Sequence, residues 1–228
     1  MTRDYGTLQP FMERMQPVIL ESVARLANTT FRLDPIGGKK YSRATSIISS
    51  AYKRHGQILG RALLERLKDC AHFTTWTEEA YKLSPMSAAE LTRGLPPEAY
   101  LSIHLPYGDQ EQTIPIDILV FDSKKKTFRS YNVKRGNGAY DAGKKRLIFN
   151  ELLRTQMHLN GYSETVGCSA EICEAKIVFY YGLRSVPEPY SLTGQDLDDH
   201  FGFPVHEAIE LVNDTFKEKL YDIIERGV

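Results

Sequence analysis

The chain has few cysteines, no long apolar run and no net charge, and each shortage removes a class of protein. Three cysteines, Cys70, Cys168 and Cys173, cannot all pair and show no CxxC spacing. They read as reduced thiols of a cytoplasmic protein, not as a disulfide framework. The longest apolar stretches, residues 114–121 and 177–181, are far too short to cross a bilayer. The opening Met1-Thr-Arg-Asp-Tyr5 lacks the basic-then-apolar pattern of a secretion signal. No repeat or low-complexity stretch points to a solenoid or a disordered linker. The six histidines (His55, His72, His104, His158, His200 and His206) have neither HExxH nor paired zinc spacing. Gly37-Gly-Lys-Lys40 lacks the GKS/T ending of a phosphate loop.

What is present is an ordinary globular composition, 42% hydrophobic and 25% charged, in 228 residues. That length fits a single domain, 1–228. The net charge of zero hides an uneven distribution. Between Phe121 and Arg146 nine Lys/Arg face two acids, whereas from Arg184 onward ten acids face four Lys/Arg. A basic middle suits a phosphate-facing surface, although charge runs are often only solvated faces.

Hydrophobic spacing predicts helices over 11–27 and 42–69, the latter with Ser42 as N-cap. A strand follows over 74–83, and Ser87-Ala-Ala-Glu90 has the form of a capping box. Segments 100–105, 113–121 and 127–134, separated by short polar turns, predict an antiparallel meander. A helix over about 140–160, a doubly buried strand over 174–181 and helices over 193–200 and 204–225 complete a mixed α/β chain.

The meander carries the informative spacing. Asp117 sits in mid-strand and Lys134 ends the next strand, so the hairpin can bring Asp117 towards Asn132 and Lys134. Residues 132 and 134 point to one side, because strand side chains alternate. A carboxylate that holds Mg²⁺, beside a lysine that stabilises developing charge, is what phosphodiester hydrolysis needs. An aspartate among Ile114, Ile116, Ile118, Leu119 and Val120 also needs a partner, since burying it alone would cost several kcal/mol. A plain cross-strand salt bridge is the bland account of the same pair.

Ile114-Pro-Ile-Asp117, a turn, then Tyr131-Asn-Val-Lys134 resembles the motif of the PD-(D/E)XK, or restriction-endonuclease-like, nucleases. The order of elements over about 42–182 is similar to theirs: a helix, a three-stranded meander, a helix and a further strand. Segments 1–41 and 183–228 are then helical extensions. The resemblance implies an α/β restriction-endonuclease-like core, with a mixed central sheet flanked by helices. It further implies a Mg²⁺-dependent DNA endonuclease (Mn²⁺ being the alternative cation) acting in restriction or another defence against foreign DNA. Asp117 and Lys134 match the catalytic pair, Glu65 matches the acid of the preceding helix, and Gln156 matches a glutamine of the following helix that supports the site.

Asn132 departs from the pattern, standing where the family usually has an acid. Three readings stay open. The metal is held by Asp117, Glu65 and the Val133 carbonyl, with Asn132 as a weak neutral ligand. Alternatively, the acid has migrated to the following helix, as Glu151. In the third, catalysis is lost and the fold is a DNA-binding or protein-interaction module. Arg135, Asn137, Lys144, Lys145 and Arg146 are the expected DNA contacts. Cutting both strands of a duplex favours a homodimer.

Overall fold

The structure, a computed structural model, describes residues 8–28, 30 and 32–225; the N-terminal pentapeptide read above lies outside them. Its contacts divide the chain into two compact units, Met1–Asp69 with Phe201–Val228, and Cys70–His200. The helix before the meander, expected to belong to the same core, therefore clusters with the terminal helices.

The first unit is helical: α1 (Gln9–Ala27), α2 (Gly38–Leu67) and α6 (His206–Glu225) pack on one another. The apolar stripe predicted for α2 is its buried face, with Ile47, Ala51, Ile58, Ala62 and Leu63 each at 1% exposure or less. Ser42 does not cap α2. It lies inside the first turn, where its hydroxyl donates to the Gly38 carbonyl and accepts from the Asp34 N–H. Asp34 takes the Ile36 and Gly37 N–H groups instead, an Asx turn that starts the helix earlier than expected. A buried bond from His55 Nε2 to Asn213 Oδ1, 2.9 Å, ties α2 to α6.

The second unit holds a five-stranded mixed sheet in sequential order: β1 (Phe73–Leu83), β2 (Gln112–Asp122), β3 (Thr127–Lys134), β4 (Ile172–Phe179) and β5 (Ser191–Thr193). β1–β2 and β2–β3 are antiparallel, and β3–β4 and β4–β5 are parallel. α4 (Ala142–Thr165) makes the crossover from β3 to β4, the long connection that parallel neighbours need. Asp141 caps it by accepting the Lys144 N–H at 2.8 Å. The core between α4 and the sheet contains Ile116, Leu119, Phe128, Ile148, Leu152, Met157, Ala175, Ile177 and Phe179.

One strand of the expected meander is different. Residues 100–105 form no strand: Pro97–Ser102 is a 3-10 helix, and the first strand of the meander is β1. Pro96 and Pro97 bring no N–H to a ladder. The buried Tyr100 accepts the Leu95 N–H through its hydroxyl, and Leu105 N–H bonds the Met157 carbonyl of α4. Ser84, not Ser87, caps α3 (Pro85–Thr92), accepting the Ser87 N–H, and Pro85 takes the position where a missing donor costs nothing. β5 was not expected at all, and α5 (Leu197–Phe201) is shorter than the helix predicted there.

On the face of β3 away from α4, Tyr131 Oη lies 2.7 Å from His200 Nε2. Burial raises the Tyr131 pKa, so the phenol keeps its proton. Burial, with the charges of Arg129, Lys176 and Lys125, lowers His200 to about 4 against the opposing pull of Glu174. A folded pKa below the unfolded value means the unfolded chain takes up more protons in between. The stability from neutral His200 is therefore complete above about pH 6.5 and lost as pH falls towards 4. Denaturant midpoints measured across that window are expected to fall for the wild type and to slope less for His200→Phe.

Candidate functional site

The β2–β3 ladder runs from Asp122↔Thr127 to Ile118↔Tyr131 and stops there. Beyond it, side chains replace backbone pairing. Asp117 Oδ2 accepts the Val133 N–H at 2.7 Å, and Asn132 Oδ1 accepts the Asp117 N–H at 3.1 Å. The cause is visible on the other side of β2, where the register with β1 shifts between Trp76↔Leu119 and Glu78↔Ile116. Asp117 and Ile118 together oppose Thr77, a bulge that re-aims side chains and bends the strand. Ile116 and Leu119 both reach the α4 core because of it. Asp117 Oδ1 has no hydrogen-bond partner among the described residues. Ladder alternation directs the Val133 carbonyl, like its N–H, towards β2.

A cleft of about 190 Å³ opens between this end of the sheet and the first half of α4. Asn132 and Lys134 form its sheet wall, Lys144, Ile148, Glu151, Leu152 and Thr155 its helical wall, and Tyr140 bridges them. The α4 residues recur at spacings of three and four, one stripe of a helix. Tyr131 and Lys176 also border it, but strand alternation puts their side chains on the opposite face. There Tyr131 meets His200, and Lys176 Nζ donates to the Pro189 carbonyl at 2.9 Å. The charges facing the cleft are thus Lys134, Lys144 and Glu151, and none makes an ion pair among the described residues. Asp117 does not line the cleft; its carboxylate sits at the Val133 backbone, next to Asn132.

The structure thus brings together Asn132, Lys134, Glu151 and Lys144, with Asp117 and Val133 at their edge. Other expected residues are engaged by other groups or do not line the cleft. Glu65 belongs to the helical unit, where Arg14, Arg61 and Lys68 reach its carboxylate at 3.1, 2.8 and 2.8 Å. Burial alone would raise its pKa. The hydrogen bond from Lys68 and the charges of Arg61, Lys68 and Arg14 lower it instead. Gln156 is spent on the fold, donating to the Cys173 carbonyl at 2.9 Å and accepting the Ala175 N–H at 2.7 Å, which fastens α4 to β4. The Arg135 guanidinium lies over the Tyr181 ring. Asn137, Lys145 and Arg146 are exposed and outside the cleft.

Thr155 and Tyr140 line the cleft but were not among the expected site residues. The stripe 144, 148, 151, 152 and 155 was the signal for Thr155, because it continues the face that carries Glu151. The bulge at Asp117 had no local signal.

Among the described residues no three His, Cys, Asp or Glu side chains gather into a metal-binding group. The oxygen donors at the ladder end and in the adjoining cleft are the Asp117 and Glu151 carboxylates, the Asn132 amide oxygen and the Val133 backbone carbonyl. That set suits Mg²⁺, which keeps several waters and uses one or two carboxylates. Compared with family models, curated proteins and solved structures, the chain matches none.

Proposed function

We propose that the protein is a Mg²⁺-dependent DNA endonuclease with a restriction-endonuclease-like core, in which Glu151 supplies the acid that Asn132 lacks. The observation that carries this reading is the end of the β2–β3 ladder. There the Asp117 carboxylate lies against the Val133 backbone, and Lys134 and Glu151 share the adjoining cleft. The run of β1, β2 and β3 as a meander, α4 as crossover and β4 parallel to β3 supports it, being the order the sequence resemblance implies. So does the placement of Lys144, Lys145 and Arg146 in the first turn of α4. Cations there oppose the helix dipole, and an anion bound beside them relieves that cost.

Asp117, Glu151 and the Val133 carbonyl would hold the cation, with Asn132 as a neutral neighbour. A cation bound there would polarise the phosphate and lower the pKa of a bound water. Lys134 places its ammonium where charge develops on the phosphate oxygens, and the cleft excludes part of the solvent that would screen it. Lys144, on the opposite wall, holds the neighbouring phosphate. Cutting a duplex in both strands needs two such sites, hence two copies of the chain; cutting one strand needs one.

Incubation of the purified protein with plasmid and Mg²⁺ tests this directly. Cleavage is expected in the wild type and is lost in Lys134→Ala and in Asp117→Ala. Binding without cleavage by the wild type would instead identify a non-catalytic DNA-binding module on the same scaffold.

A further inference from the structure

Where β1 begins, beside the last residue of β2, a thiol, an imidazole and a carboxylate stand in succession. Cys70 Sγ lies 3.3 Å from His72 Nδ1 and 3.4 Å from Nε2, so either ring nitrogen is within reach of the thiol proton. Asp122 Oδ1 lies 4.0 Å from His72 Nε2 and gives a protonated ring a counter-charge. That carboxylate is 2% exposed, and its Oδ1 is fixed by the Lys124 and Lys125 N–H groups, each at 3.0 Å. Backbone bonds hold the array together. Phe73 N–H donates to the Cys70 carbonyl at 3.0 Å, and Ser123 N–H to the His72 carbonyl at 2.9 Å. Cys70 is half-buried and 38% of the His72 side chain meets solvent, so a small reagent can approach the sulfur.

A nucleophile within hydrogen-bond reach of a base, with a third group behind that base, is the arrangement that activates a thiol. The other two cysteines lack it. Burial raises the pKa of Cys168 and of Cys173, and among the described residues the Cys173 thiol meets Asn160 Oδ1 and Ser163 Oγ, at 3.7 and 3.9 Å. We propose that Cys70 is a nucleophilic thiol and an oxidation site for peroxides, with His72 as the acceptor of its proton. His72 takes the thiol proton, the sulfur attacks one oxygen of hydrogen peroxide, and the S–O bond forms as the O–O bond breaks. The leaving hydroxide then takes the proton from His72. Peroxide is thereby reduced to water, and Cys70 is oxidised to a sulfenic acid, the reversible first stage of thiol oxidation. None of the three side chains lines the cleft, so this thiol chemistry stands apart from the nuclease reading.

Limiting hydrogen peroxide with dimedone, which traps sulfenic acids, followed by peptide mapping of the native chain, tests the oxidation. Limiting iodoacetamide tests the nucleophile itself. Both labels are expected on Cys70 ahead of Cys168 and Cys173. An unassisted thiol is only a few per cent ionised at neutral pH. His72→Phe, which keeps a ring beside the sulfur but no proton acceptor, should therefore slow both reactions at Cys70 by roughly tenfold or more. Should that variant melt well below the wild type, His72→Gln, which hydrogen-bonds but takes no proton, is held to the same slowing. Faster labelling of Cys168 or Cys173, an equal rate at Cys70 in the wild type and the folded variant, or alkylation of Cys70 with no dimedone adduct overturns the proposal.

Discussion

Glu151→Gln is expected to lower Mg²⁺-dependent cleavage by about a thousandfold, whereas Glu65→Gln leaves it within about twofold. The first figure corresponds to roughly 4 kcal/mol of transition-state stabilisation, the scale of losing a charged ligand from a catalytic cation. Glu151 stands in the cleft with Lys134 and Asn132, and its carboxylate makes no ion pair among the described residues. Glu65 has three cations around a carboxylate that is 4% exposed. Its replacement should appear in stability instead, at about 1–2 kcal/mol, since Arg14, Arg61 and Lys68 are exposed enough to turn to water. Initial rates of plasmid cleavage at saturating Mg²⁺, with thermal unfolding alongside, read both quantities. A large rate loss in Glu65→Gln with little in Glu151→Gln would show that the acid had not migrated.

Gly136→Ala should damage stability and cleavage together, and Gly138→Ala two positions away should damage neither. Gly136 has φ of +66°, in the left-handed region, and a Cβ there would stand 2.8 Å from Phe179 Cβ and 2.9 Å from its carbonyl carbon. Left-handed strain contributes about 1–3 kcal/mol and overpacking a similar amount. For a chain of this length their sum lowers Tm by roughly 5–20 °C. Relief requires the loop to move away from β4, which displaces Arg135 and Lys134, and a shift of about 1 Å at a reacting group can cost a hundredfold in rate. At Gly138 nothing lies within 4 Å of an added Cβ. Thermal melts and cleavage rates of the two variants side by side check the contrast; equal behaviour would mean that the loop tolerates displacement.

The contrast between Glu65 and Glu151 also shows what sequence reasoning can read and what it cannot. Both acids lie on helices adjoining the meander, one before it and one after it. Spacing places each on a helix but cannot say which neighbours approach its carboxylate. Arg61 and Lys68, four and three residues away, were legible as partners of Glu65. Arg14, fifty-one residues away, was not. Residues 100–105 failed for a related reason: their alternation suits a strand, but α4 supplies the partner for Leu105 N–H and Tyr100 folds back on Leu95.

Local chemistry alone determined that α4 is a helix, that β2 and β3 form a hairpin, and that residues 132 and 134 share a side. Those features follow from repeat periods and turn residues within a few positions of one another. Tertiary structure alone decided that β1 leads the meander, that a bulge turns Asp117 towards the Val133 backbone, and that Glu151 shares a cleft with Lys134. These depend on strand register and on groups far apart in the chain, where the free energy of a contact is fixed only once the intervening segments have packed.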